Sequence, residues 1–155
     1  MDSSVLSNND HVFMGQALTL AKESALKGEV PVGAILVKDG QVISQSGNSP
    51  ISSLDPTAHA EVNTLRVAAK IMGNYRLVGT TLYSTLEPCV MCAGAIMHAR
   101  ISRLVFGAYD QKSGACGSVI DLFGHEKLNH HTSVLGGVMP TECAEVLQTF
   151  FKNRR

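Results

Sequence analysis

Two cysteines three residues apart, in the stretch EPCVMC, are the first residues in this sequence whose types and spacing could do chemistry. On a helix, an i, i+3 spacing puts Cys89 and Cys92 on one face, where both thiols can bind the same ion. A position at the start of a helix also favours the thiolate, which is the form that binds metal. The motif alone leaves a redox C-x-x-C pair equally open.

His59 and Glu61, in the stretch HAE, shift the balance towards a metal site. His59 and the two cysteines make three protein ligands, the number typical of a catalytic zinc whose fourth position is open to water. Glu61 can stand beside the metal without binding it and carry protons. A structural zinc normally takes four ligands, and the sequence alone leaves Cys116 or Cys143 open as a fourth.

Length and composition indicate one globular domain over residues 1–155, with residues 1–9 expected to be flexible. Hydrophobic residues make up 45% of the chain and charged residues 17%, which is enough apolar surface for a real core. The first residues lack the basic and apolar parts of a secretion signal, and no run of about 18 apolar residues occurs. We therefore expect a cytoplasmic protein that does not associate with membranes.

The net charge is zero, with 13 basic and 13 acidic residues, so the overall charge does not indicate a nucleic-acid-binding protein. An RNA partner would have to be held by a local basic patch. The basic C-terminus also fits a solvated helix end, where cations complement the helix dipole. The candidates for such a patch are Lys112, Lys127, Lys152, Arg154 and Arg155.

Helices and strands alternate along the chain. Apolar periodicity and end signals predict helices over residues 10–27, 57–73, 89–100 and 140–153. The two helix starts at 57 and 89 place His59, Glu61 and both cysteines in first turns.

Asp39-Gly40 predicts a tight hairpin between two strands, and three further strands are predicted in residues 80–86, 101–109 and 131–138. Residues 48–56 contain two prolines and several turn formers, which predicts a loop. This order is typical of an α/β domain whose helices cover both faces of a sheet of about five strands. In such sheets, ligands gather at the carboxyl ends of the strands.

The order H-x-E followed by P-C-x-x-C is the signature of zinc-dependent deaminases. Longer stretches, among them DPTAHAE, TLEPCVMCAGA and VFGA, resemble the bacterial tRNA adenosine deaminases over about residues 10–153. The resemblance implies a three-layer α/β/α cytidine-deaminase-like fold with a central mixed sheet, and a homodimer.

The same resemblance implies a role for individual residues. His59, Cys89 and Cys92 match the ligands of one Zn²⁺ per chain, and Glu61 matches the proton shuttle. Asn48 matches the residue that hydrogen-bonds the flipped base, and the backbone N–H of Ala60 matches a group that faces the substrate. The other matching substrate-binding positions are Val30 and Leu86 in the apolar wall, and Asp110, Asn129 and Phe151 near the RNA backbone or the flanking bases.

The implied reaction is hydrolytic deamination of adenosine to inosine at the wobble position of a tRNA anticodon, with the anticodon stem-loop as partner and no nucleotide cofactor. A water activated by zinc attacks C6 of an adenine flipped out of its stack, while Glu61 protonates N1 and the leaving amine. The nearest alternative is a deaminase of free guanine, cytosine or their nucleosides. A more remote one is a non-catalytic zinc or RNA-binding module, which would have no use for Glu61.

Overall fold

A computed structural model describes residues 6, 7, 9–128 and 130–154 of the chain. Within these residues five strands form one sheet, with the strand order β2-β1-β3-β4-β5. The strands are β1 (Gly33–Lys38), β2 (Gln41–Gly47), β3 (Thr81–Leu86), β4 (Arg103–Ala108) and β5 (Ser133–Leu135).

The sheet is mixed, as predicted. The hairpin between β1 and β2 is confirmed, and its turn uses Asp39 and Gly40 at positive φ values of 51° and 76°. β1 also pairs antiparallel with β3, whereas β3, β4 and β5 run parallel to one another. The carboxyl ends of β3 and β4 therefore lie at the same edge of the sheet.

Helices cover both faces of this sheet, which confirms the three-layer α/β/α prediction. The helices are α1 (Asp10–Leu26), α2 (Pro50–Ser53), α3 (Ala60–Met72), α4 (Val90–His98) and α5 (Pro140–Lys152). Side chains alternate along β1, so that Ala34 and Leu36 pack with the layer of α3 and α4, whereas Ile35 and Val37 pack with the layer of α1 and α5.

Two local predictions differ from the structure. The stretch predicted as a loop contains the single turn of α2, whose first amides, those of Ile51 and Ser52, donate to the buried carboxylate of Glu29 at 3.1 and 2.7 Å. α3 and α4 begin at Ala60 and Val90, slightly later than predicted. His59 and Cys89 are therefore the residues just before the first turns, since both have extended backbone angles.

A buried ion pair fastens α1 to the sheet. The Asp10 carboxylate accepts hydrogen bonds from both terminal nitrogens of Arg103, at 2.8 and 2.7 Å, and from the Tyr83 hydroxyl at 2.6 Å. Burial by itself raises the pKa of Asp10, but the hydrogen bonds from Arg103, Ser7 and Tyr83 outweigh it and hold that pKa well below its usual range. Asp10, Tyr83 and Arg103 thus link α1, β3 and β4, which are distant in sequence.

No helix in the described part of the chain combines the length and the apolar character needed to cross a bilayer. Several sequence predictions fall on residues outside the described ones. These are the roles of Asn129 and Arg155 and the flexibility of residues 1–5 and 8.

Candidate active site

The first turns of α3 and α4 meet at the sheet edge where β3 ends. His59 precedes α3 with φ −70° and ψ 152°, and Cys89 precedes α4 with φ −77° and ψ 177°. The His59 Nδ1 lies 3.7 Å from the Cys89 Sγ and 3.4 Å from the Cys92 Sγ. Two segments 30 residues apart thus bring a histidine and two thiols together, as the sequence predicted.

His59, Cys89 and Cys92 form a group that can hold one metal ion. Their ligand atoms all lie within 4.8 Å of one another, and among the described residues neither of the other two cysteines joins the group. Cys143 is buried with the α1 and α5 layer, and the Cys116 Sγ lies 3.8 Å from the Pro88 carbonyl oxygen. The structure therefore favours three protein ligands, which leaves one zinc position for water.

One member of the cluster, Cys89, is in the protonation state that binds a metal, whereas Cys92 and His59 would release protons when the metal binds. Hydrogen bonding from Cys92, followed by that from His59, lowers the pKa of Cys89 to about 4, although burial opposes the change. The same contact with Cys89, together with burial, raises the pKa of Cys92. The hydrogen bond to Cys89 also raises the pKa of His59. Cys89 is thus a thiolate at neutral pH, which is the form that binds zinc.

Glu61 lines a cavity of about 620 Å³ together with His59 and Cys89. Only 4% of the Glu61 surface is exposed, and burial is the largest cause that raises the pKa of this carboxyl group. Because the carboxylate faces the same space as the metal group, it can exchange protons with a water or a substrate held there.

Asn48 and Ala60 form one unit at this cavity. The Asn48 Oδ1 accepts a hydrogen bond from the Ala60 backbone N–H at 2.8 Å. That amide, which the resemblance placed towards the substrate, is therefore used to orient Asn48. No described residue accepts a hydrogen bond from the Asn48 Nδ2, which remains available as a donor to a ligand.

The cavity brings together most of the other residues assigned to substrate binding. Val30, Leu86, Asp110 and Phe151 all line it. Sequence reasoning missed the rest of the wall, although the i, i+3, i+4 spacing on the last helix was a usable signal. The missed lining residues are Val32, Pro50, Glu87, Ala108, Gln111, Ser113, Ala144, Leu147 and Gln148.

Tyr109 stands at the edge of the same cavity. Its ring packs edge-on against Phe106, with 5.1 Å between centroids, yet 54% of the residue remains exposed. The Tyr109 ring thus packs against a neighbouring ring and is still exposed enough to stack on a base. Of the basic residues considered for RNA binding, Lys112 lines the cavity, whereas Arg154 lies 4.3 Å over the Phe150 ring and donates to the Gly28 carbonyl oxygen.

The fold and the site together place this chain in the class of zinc-dependent deaminases. Residues 7–108 match the family model of the cytidine and deoxycytidylate deaminase zinc-binding region. That region contains His59, Glu61, Cys89 and Cys92, the residues whose geometry is described above. Zinc is accordingly the cofactor of this chain.

The sequences of its relatives assign this chain to one family within that class. A tRNA-specific adenosine deaminase from Haemophilus influenzae is 52% identical over 97% of this chain and 88% of its own length. Another from Bacillus subtilis is 42% identical over 94% of this chain and 91% of its own length. The chain belongs to the family of tRNA-specific adenosine deaminases.

Solved structures agree with this assignment. A structure from a study of A-to-I editing by tRNA:A34 deaminases at the wobble position has a TM-score of 0.85 with this chain and 46% identity, over 88% of this chain and 99% of that one. A guanine deaminase from Bacillus subtilis has a TM-score of 0.64 and 34% identity, over 95% of each chain. The architecture is thus shared by deaminases of different substrates.

Proposed function

We propose that this protein deaminates adenosine to inosine at the wobble position of tRNA anticodons. The observation that carries the proposal is the placement of Glu61 beside the His59, Cys89 and Cys92 group in one cavity. This arrangement supports hydrolytic deamination, and the relatives that are 52% and 42% identical over most of the chain support adenosine in tRNA as the substrate. We place this activity in the cytoplasm, where tRNA is used.

The residues of the site have two roles in the reaction, which are metal binding and proton transfer. His59, Cys89 and Cys92 hold zinc, which supplies Lewis acidity to activate a water when it is bound. Glu61 would take the two protons of the attacking water in turn, and would deliver one to N1 of the adenine and the other to the leaving amine. Its near-complete burial keeps bulk water from competing with these transfers.

Recognition of the base follows from the cavity walls. The Asn48 Nδ2 donates to an acceptor on the flipped base, and its orientation is maintained by the Ala60 amide. Val30 and Leu86 provide apolar contacts with the ring faces. Asp110 and Phe151, which both line the cavity, contact the flanking nucleotides, and Lys112 neutralises a phosphate. Asn129, outside the described residues, is proposed to join them.

Guanine is the second candidate substrate, because a guanine deaminase shares 34% identity over 95% of each chain. The decisive experiment incubates zinc-loaded protein with a tRNA anticodon stem-loop carrying a wobble adenosine, and separately with free guanine and cytosine. Nucleoside mass spectrometry of the digested RNA should show inosine at that one position. Turnover of a free base without inosine in the stem-loop would replace the tRNA proposal with the free-base one.

We further propose that the protein is a homodimer. At the start of α4, Val90 is 57% exposed, and the later residues Val119 and Ile120 are 58% and 47% exposed. Hydrogen bonds join the segments that carry these residues, since the Ala115 N–H donates to the Pro88 carbonyl oxygen at 2.8 Å and the Val119 N–H to the Gly114 carbonyl oxygen at 3.0 Å. We infer that the three exposed side chains contribute to an apolar surface that binds a second copy of the chain.

Light scattering after gel filtration tests this interface. We expect a dimer for the native chain and a monomer for Val119→Asp. Leu26→Asp is the matched control, since Leu26 is 89% exposed at the end of α1 and should leave the dimer intact. A native monomer at micromolar concentration would contradict the proposal.

A further inference from the structure

Glu87, two residues before Cys89, has a buried carboxylate that the proposed chemistry does not use. Only 2% of the residue is exposed. A buried carboxylate needs hydrogen-bond donors to compensate for its lost hydration. The described donors all come from residues 110–118: the backbone N–H groups of Asp110, Cys116 and Ser118 at 3.0, 2.9 and 3.1 Å, and the Ser118 hydroxyl at 2.5 Å.

These donors lie at both ends of an irregular segment. Asp110 is at its start and binds one carboxylate oxygen, whereas the amides of Cys116 and Ser118 are at its end and bind the other. Between them the chain makes a tight turn, in which the Asp110 carboxylate accepts from the amides of Lys112 and Ser113 at 3.0 and 3.2 Å. The Glu87 side chain thus joins the two ends of the segment.

The segment forms a wall of the active-site cavity. Asp110, Gln111, Lys112 and Ser113 all line it. The wall approaches Glu87 so closely that a Cβ at Gly114 would overlap the Glu87 carboxyl group. Only a residue without a side chain fits at position 114 while the carboxylate keeps its place.

We propose that Glu87 is a positioning residue that holds residues 110–118 as the RNA-binding wall of the active site. The proposal rests on the proposed function and identifies what keeps this wall in place. Glu87 itself lines the cavity, but both of its carboxylate oxygens already accept hydrogen bonds from the segment, so we assign its effect on the substrate to the segment that it holds.

Kinetics of Glu87→Gln test the proposal. The amide keeps the volume but turns one acceptor into a donor that faces N–H groups. We expect the KM for the anticodon stem-loop to rise at least about tenfold, with kcat within about twofold and one zinc retained per chain. Gly114→Ala disturbs the same contact from the side of the segment. It should likewise raise the KM while kcat stays within about twofold. Gly15→Ala is the control, because nothing lies within 4 Å of its added Cβ.

A second measurement is independent of activity. Hydrogen exchange should accelerate at the amides of Asp110, Cys116 and Ser118 in Glu87→Gln. Unchanged exchange and an unchanged KM would overturn the proposal. So would loss of zinc or a lower kcat at unchanged KM, since Glu87 would then support the metal site.

The remaining outcomes are also distinguishable. If Glu87→Gln does not fold, Gly114→Ala and Ser118→Ala provide the same comparison, with the smaller effect expected for Ser118→Ala because it removes one donor. If the native protein forms no inosine, the proposed function fails, while hydrogen exchange still shows whether Glu87 holds the segment.

Discussion

His59 and Cys89 occupy equivalent positions in two helices. Each is the last extended residue before a first turn, and the His59 Nδ1 lies 3.7 Å from the Cys89 Sγ. The positive ends of both helix dipoles therefore point towards the metal group and favour negative charge on its ligands and on the water that it activates. The meeting of α3 and α4 thus places the metal site and sets its electrostatics.

Replacing Glu61 should abolish turnover without removing the metal. Glu61→Gln keeps the volume of the side chain but cannot carry the protons, so kcat should fall at least about 100-fold. Inosine formation measures activity, and elemental analysis should still give one zinc per chain. Glu142→Gln is the control, because Glu142 is an exposed glutamate in the first turn of α5. An unchanged kcat in Glu61→Gln would rule out the proposed proton shuttle.

Zinc loss should be reversible, and zinc binding should require His59, Cys89 and Cys92. A strong chelator is expected to eliminate activity, and added Zn²⁺ should restore it at one equivalent per chain. His59→Ala should lose most of its zinc, whereas Cys116→Ser should retain it, because Cys116 lies outside the ligand group. Loss of zinc from Cys116→Ser would show that the assignment of three ligands is wrong.

Two substitutions at Asn48 separate its two hydrogen bonds. Asn48→Asp keeps an acceptor for the Ala60 N–H but loses the donor to the base, whereas Asn48→Ala loses both. Either change should lower kcat/KM for the stem-loop by roughly 10- to 100-fold. Thermal unfolding should show a larger loss of stability for Asn48→Ala. Native kcat/KM in Asn48→Asp would mean that the Nδ2 does not contact the base.

The Asp10 and Arg103 pair should make stability depend on acidity. The folded protein lowers the pKa of Asp10 below its ordinary value of 3.8, so the ionised carboxylate stabilises the fold above that pH. This stability is lost as the pH falls further. Asp10→Asn should therefore lower the free energy of unfolding by about 3 kcal/mol at pH 7, with a smaller difference at pH 3.

Urea unfolding at several pH values measures this effect. Asp55→Asn is the matched control, because Asp55 forms its ion pair with Arg66 at the exposed surface, at 3.3 Å. It should change stability much less. Equal losses for the two variants would contradict a special role for the buried pair.

Several parts of the site could be predicted because their signals are local. Cys89 and Cys92 share a helix face because of their i, i+3 spacing, while Pro88 signalled the start of α4 and Gly73 the end of α3. The spacing of Leu147, Gln148 and Phe151 shows that they share one face of α5, but it does not show what that face packs against. Their place in the cavity depends on how α5 packs against β4, where Gly107 allows close approach to Cys143.

By itself, the sequence determined the alternation of helices and strands. Residue types and spacing made His59, Cys89 and Cys92 candidate metal ligands and Glu61 a candidate proton carrier, but they left a fourth ligand open. The tertiary structure decided that Cys116 and Cys143 stand apart from the metal group, that the Ala60 amide orients Asn48, and that Glu87 closes the segment after β4. These relationships either join residues that are 12 to 31 positions apart or depend on the layer in which a residue packs. They therefore follow from how the chain packs and not from any local pattern.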